Sequence, residues 1–124
     1  MNVARIAVFA SGSGTNAENI IKHFGTEGDI RVVLVLSNKK DAFVLERARK
    51  FGVESVVFTR DDLSNSLIID NILAEKNIDF IILAGFLLKI PERILRKYPS
   101  RVINIHPALL PRFGGKGMYG MNVH

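Results

Sequence analysis

Two short stretches of this chain combine residue types and spacing that could do chemistry. The first is Ser11-Gly12-Ser13-Gly14-Thr15-Asn16, set between an apolar run and an amphipathic one. Gly12 and Gly14 permit backbone angles closed to other residues, and Thr15 and Asn16 add side-chain donors. A glycine turn that opens a helix presents free backbone amides at the positive end of the helix dipole, which is a phosphate site. The plainer alternative is a tight turn with Thr15 or Asn16 capping the helix. A dinucleotide is the rival ligand, because Gly12, Gly14 and Ala17 satisfy the loose form G-x-G-x-x-A. That motif also wants an acidic residue at the tip of the second strand. The tip here is Ser37-Asn38, and the nearest acid, Asp41, reads as a helix cap. A single phosphate on a small substrate fits better.

The second stretch is Asn104-Ile105-His106-Pro107. Alternate residues of a strand face one side, so Asn104 and His106 are expected to point together while Ile105 faces away. Pro107 cannot continue a central ladder, so the strand should end there. An imidazole exchanges protons near neutral pH. A neutral amide beside it can donate a hydrogen bond to a developing oxyanion. Such a pair suits acyl transfer to an amine. Taken singly, a loop histidine and a strand-end cap explain these residues as well. Taken together at i and i+2, the functional reading is favoured. His23 falls on a helix surface, and neither it nor His124 forms metal-ligand spacing with His106.

Positioning these groups requires a scaffold, and the apolar pattern supplies one. Strands are expected at 4–10, 31–36, 54–58, 80–84 and from 102 to 105. Helices are expected at 16–24 with Ala17, Ile20, Ile21 and Phe24 inward, at 41–51 with Asp41 as N-cap, at 64–76 with Leu67, Ile68, Ile72 and Leu73 inward, and at 91–98. Continuous apolar strands alternating with helices indicate an α/β fold, a doubly wound parallel sheet covered on both faces. The first strand should be central, the phosphate turn should lie beside the end of the fourth, and ligands should bind beyond the strand ends. After His106 the pattern gives way to a proline- and glycine-rich loop, and no further strand is expected to complete the sheet before His124.

Composition narrows the function classes. The chain has 124 residues, enough for one domain over 1–124, and 48% of them are hydrophobic. Cysteine is absent, so disulfides and thiolate metal sites are excluded and a reducing cytoplasm fits. No apolar run approaches the roughly 20 residues of a membrane span. The net charge of +5 suits anionic small molecules. Its basic residues, such as Arg47 with Arg49 and Lys50, fall at helical spacing and read as solvated faces. No nucleic-acid motif with interleaved aromatics appears.

Together, the SGSGTN turn, LAGF at Leu83 to Phe86, NIHPALLP at Asn104 to Pro111, SNKKDAF at Ser37 to Phe43 and LERAR at Leu45 to Arg49 resemble the glycinamide ribonucleotide formyltransferase family over essentially the whole chain. NIHP-type segments also occur in methionyl-tRNA formyltransferase and formyltetrahydrofolate hydrolase. The SGSGTN turn favours the ribonucleotide enzyme over the tRNA enzyme and separates it less well from the hydrolase. The resemblance implies a Rossmann-like formyltransferase fold and transfer of a formyl group from 10-formyltetrahydrofolate to glycinamide ribonucleotide in purine synthesis, with no metal. Gly14, Thr15 and Asn16 would hold the substrate phosphate. Leu87, Leu88, Lys89 and Ile90 would line the folate pocket, partly through backbone atoms. Asn104 would steady the formyl oxygen and His106 would act as general acid. The family's third catalytic residue is an aspartate well downstream of the histidine. The chain is therefore expected to be an N-terminal part of such an enzyme, incomplete at its C-terminal end and inactive alone. The expected partners are small molecules, with neither nucleic acid nor membrane, in a cytoplasmic monomer or homodimer. A hydrolase-like enzyme, a nucleotide-binding module without transfer chemistry, and a non-catalytic fragment stand as alternatives. The resemblance also raises the expectation of a cis bond at Leu110-Pro111.

Overall fold

The computed structural model describes residues 3–105 and 121–123. Six strands form one sheet: β1 (Ala4–Phe9), β2 (Ile30–Ser37), β3 (Glu54–Val57), β4 (Phe80–Ala84), β5 (Val102–Ile105) and β6 (Met121–Val123). Their spatial order is β3-β2-β1-β4-β5-β6. The first five are mutually parallel, with β1 between β2 and β4. The order reverses at β1, so the crevice between the ends of β1 and β4 is the switch point where ligands of such sheets bind. The sixth strand corrects the expectation that nothing would follow β5. It pairs antiparallel to β5, with Asn122 opposite Asn104.

Side-chain alternation divides the core into two layers. Ile6, Val8, Ala10, Val35, Ile82 and Ile105 pack on one face against Ala17, Ile20 and Ile21 of α1 (Thr15–Phe24) and Val44 and Ala48 of α2 (Val44–Lys50). Ala7, Phe9, Leu34, Leu36, Ile81 and Val102 pack on the other, against Leu63 of α3 (Arg60–Ser64), Ile69 and Leu73 of α4 (Ile68–Glu75) and Ile94 of α5 (Glu92–Lys97). A register shift between Ile6 and Ala7 lets β2 keep this alternation beside β1. The doubly wound α/β architecture is therefore as expected.

Three local expectations are corrected. The helix expected at 64–76 begins only at Ile68, as α4, and a separate short helix, α3, ends at Ser64. Thr59 and Asp62 form a reciprocal capping box that starts α3. Ser66 then ends it by donating its hydroxyl to the Asp62 carbonyl, and accepts from the Ile68 N–H. The restart at Ile68 turns the register, so Leu67 and Ile68 lie exposed while Ile69, Asp70 and Leu73 are buried. Asp41 does not cap α2. The helix opens three residues later, from Phe43, whose backbone is already helical. Pro91 stands at the N-cap of α5 in an extended conformation, one position before the helix.

One buried charge ties the second helical layer together. Asp70, with 1% of its side chain exposed, receives both Nε and an Nη of Arg93 at 3.0 Å. The same guanidinium donates to the carbonyls of Leu63, Ser64 and Ser66. Arg93 thereby satisfies the carbonyls at the end of α3 and holds α4 and α5 against each other.

Candidate active site

The glycine turn leaves β1 at Ala10 and enters α1 through Gly14, which serves as N-cap with φ 84° and ψ 13° and no side-chain cap. Two facts require glycine there. The backbone is left-handed, and a Cβ would stand 2.6 Å from Cα, Cβ and Cγ2 of Val44. The expectation for Gly14 is thus met for a reason internal to the fold, since α2 lies directly against the turn. Gly12 differs from expectation. It is not among the positive-φ glycines, and a Cβ there meets nothing within 4 Å.

The carbonyls of Gly12, Ser13 and Gly14 are taken, and the amides that follow Gly12 are not. The Val44 N–H donates to the Gly12 carbonyl at 3.3 Å, and Arg47 Nε donates to the Ser13 carbonyl at 2.7 Å. The helical ladder of α1 begins with the Glu18 N–H on the Gly14 carbonyl. The amides of Ser13, Gly14, Thr15, Asn16 and Ala17 have no acceptor among the described residues. They border a cleft of about 230 Å³ lined by Gly12, Ser13, Gly14, Thr15, Asn16, Ala84 and Gly85. Unpaired amides at the start of a ten-residue helix, in a cleft at the switch point, have the geometry that anion binding requires. A dinucleotide fits less well. Asn38, at the tip of β2, is engaged through its Oδ1 by the Ser11 hydroxyl at 2.6 Å, and no acid takes that place.

A second cleft, of about 250 Å³, opens on the other side of the end of β4, lined by Leu83, Phe86, Leu88, Lys89, Ile90, Leu95 and Asn104. Phe86 is braced by an edge-on contact with buried Phe9, at 5.2 Å between ring centres. The backbone groups of Leu88, Lys89 and Ile90 make no hydrogen bond among the described residues, so their polar edges are available to a planar heterocycle. Asn104 sits opposite Leu83 in the β4–β5 register. Its half-buried carboxamide has no partner among the described residues. Leu87 is 73% exposed and is not among the residues lining either cleft, and its backbone N–H donates to Ser11 Oγ at 3.0 Å. His106, and the Leu110-Pro111 bond expected to be cis, lie outside the described residues.

The two clefts share a wall. Ala84 and Gly85 face the first, while Leu83 and Phe86 face the second. Ser11 joins them, although the sequence offered no role for it beyond membership of the turn. Its N–H donates to the Gly85 carbonyl, and its buried hydroxyl bridges Asn38 and the Leu87 amide. Arg47 is the other residue with a part that its sequence context, a solvated basic helix face, does not reveal. Its Nη1 reaches Glu18 Oε1 at 2.6 Å, and its guanidinium lies 5.2 Å from the ring centre of Phe43. That hydrogen bond, followed by those of Lys22, holds the Glu18 carboxyl below its ordinary range.

Comparison with known proteins accords with this geometry. A family model described as formyl transferase matches residues 4–124. A phosphoribosylglycinamide formyltransferase of Arabidopsis thaliana, described as chloroplastic, is 44% identical over 129 residues, covering 97% of this chain and 43% of the relative. The Haemophilus influenzae phosphoribosylglycinamide formyltransferase is 36% identical over 121 residues, covering 93% and 57%. The crystal structure of the Anaplasma phagocytophilum phosphoribosylglycinamide formyltransferase superposes with a TM-score of 0.76 at 36% identity, covering 89% of this chain and 53% of that one. Glycinamide ribonucleotide transformylase 1 of Geobacillus kaustophilus gives 0.75 at 38%, covering 93% and 64%. The chain spans about half the length of the curated relatives it matches.

Proposed function

Since this chain belongs to the formyl transferase family, we propose that it forms the phosphate-binding and folate-binding half of an enzyme that moves a formyl group from 10-formyltetrahydrofolate to the amine of glycinamide ribonucleotide. The observation that carries this reading is the meeting of an anion cleft and an apolar cleft at the end of β4, with Asn104 on the apolar side. A phosphate-bearing amine and a formyl-bearing heterocycle bound in the two clefts would meet at that wall.

The assignment follows residue by residue. Gly14, Thr15 and Asn16 hold the ribonucleotide phosphate through their amides. Leu88, Lys89 and Ile90 receive the pterin, their free backbone groups matching its polar edge. The glycine amine attacks the formyl carbon, and the carbonyl oxygen becomes an oxyanion. The Asn104 amide donates to that oxygen, which strengthens as its charge develops. A proton leaves the attacking nitrogen and another reaches the departing folate nitrogen, whose bond to carbon then breaks. His106 supplies that second proton in the family's scheme. The resemblance implies an aspartate well downstream of this histidine as its acidic partner. A cytoplasmic location belongs to the same reading and rests on the cysteine-free sequence. Among the described residues, no helix is long and apolar enough to cross a membrane.

A binding screen tests the substrate class. Glycinamide ribonucleotide, its dephosphorylated riboside, a 10-formylfolate and the nicotinamide dinucleotides are each titrated against the chain. The ribonucleotide should bind and compete with inorganic phosphate, and the riboside should not. Preference for a nicotinamide dinucleotide over both the ribonucleotide and the folate would replace this reading with a dinucleotide module.

A further inference from the structure

The peptide units of the glycine turn show how its amides come to be aimed. In a planar trans peptide the C=O and N–H point in opposite directions. The Gly12 carbonyl is drawn to the Val44 N–H, and the Ser13 carbonyl to Arg47 Nε. Both carbonyls therefore face α2, and the N–H groups of Ser13 and Gly14 in the same two units face away from it. Among the described residues, Arg47 is the one side chain that grips a carbonyl of this turn.

Arg47 is itself held at three points. Its Nε is on the Ser13 carbonyl, its Nη1 is on Glu18, and its guanidinium lies against Phe43. Glu18 occupies the first turn of α1, with 12% of its side chain exposed. An uncompensated carboxylate there would repel an anion bound at the same helix end. Arg47 and Lys22 neutralise it, at 2.6 and 3.0 Å. Arg47 does not line the anion cleft.

We propose that Arg47 is a positioning residue for the phosphate site: it turns the Ser13–Gly14 peptide so that its N–H faces the anion, and it masks Glu18, without touching the ligand. The inference rests on the phosphate reading above and adds a residue to it.

The test is a titration of the isotopically labelled chain with inorganic phosphate, followed by the backbone amide resonances of Ser13 to Asn16. The parent should show saturable shifts confined to the turn and the start of α1. R47A should weaken phosphate by roughly tenfold or more, the scale of one charge-assisted hydrogen bond, while sheet amides keep their positions. R47K keeps the charge and the aliphatic stem but lacks Nε. It should fold like the parent, move the Gly14 amide resonance and recover only part of the affinity. K22A removes a neighbouring charge without touching the turn and should cost less than about threefold. Phosphate binding by R47K equal to the parent overturns the proposal, whether or not R47A folds. A loss in K22A as large as that in R47A also overturns it, because charge alone would then account for the effect. Absence of any turn shift in the parent overturns the phosphate reading itself, and the role of Arg47 with it.

Discussion

Replacing Gly14 with alanine should damage the fold more than a single methyl group suggests. Its left-handed backbone costs a non-glycine residue about 1–2 kcal/mol. The added Cβ also stands 2.6 Å from three atoms of Val44, of which the backbone Cα and the Cβ attached to it cannot be moved by rotating the side chain. Displacing a packed helix start by that overlap costs about 1–3 kcal/mol. The sum, about 2–5 kcal/mol, is a large share of the roughly 5–15 kcal/mol that holds a typical domain folded. For a chain of this size it corresponds to a fall in Tm of roughly 10 °C or more. The assay is thermal unfolding followed by circular dichroism, with Gly12→Ala as the paired control. Gly12 has an open surrounding and no positive φ, so its alanine variant should stay within about 1 kcal/mol of the parent. Phosphate should bind G12A more weakly, because the new methyl borders the cleft. A Tm for G14A within a few degrees of the parent would show that the approach of α2 does not impose this glycine.

Other perturbations follow from the same contacts. Arg93→Ala should destabilise the chain towards the about 3–5 kcal/mol typical of a broken buried pair, moderated by Lys97 at 3.8 Å from Asp70, and urea unfolding measures it. Glu18 has its carboxyl pKa lowered in the fold, first by the Arg47 hydrogen bond. Its contribution is therefore present above the ordinary carboxylate range and is lost as pH falls through the lowered value. Glu18→Gln should flatten that acid limb of the Tm–pH profile, and an unchanged limb would assign it to other groups. Ser11→Ala leaves the Leu87 N–H and the Asn38 amide oxygen without their partner, at about 1–3 kcal/mol. Hydrogen exchange at the Leu87 amide should accelerate more than exchange in β1 or β4.

What the sequence makes legible follows from how local each cause is. The inner strands β1, β2 and β4 announce themselves because a strand buried on both faces must be largely apolar, as in Phe80 to Ala84. The glycine turn is legible because its glycines, strand and helix are contiguous. The start of α3 had a local signal too, the Thr59–Asp62 capping box, but the apolar run from Leu67 outweighed it in the periodic pattern. The α2 start could not be read from Asp41, because docking of Val44 on Gly12, more than thirty residues earlier in the chain, sets where that helix begins. The same holds for Ser11 and Arg47. Their partners at Asn38, Leu87, Ser13 and Glu18 are distant in sequence, so nothing in a local window marks them. Leu87 illustrates the reverse case. A hydrophobic residue expected to line a pocket contributes its amide to the wall between two clefts instead.

The central proposal is that a formyl group passes between ligands held in the two clefts, with Asn104 steadying its oxygen and His106 donating the proton. It is tested most directly by formyl transfer from 10-formyltetrahydrofolate to glycinamide ribonucleotide, in a protein carrying this segment at the relatives' full length. The parent, Asn104→Ala and His106→Ala are compared in turnover and in phosphate affinity. The account predicts losses in kcat of about 10²–10³ for N104A and about 10²–10⁴ for H106A, with phosphate affinity unchanged in both. Turnover by either variant at the parent's rate would contradict it and move the proton transfer or the oxyanion contact to other residues.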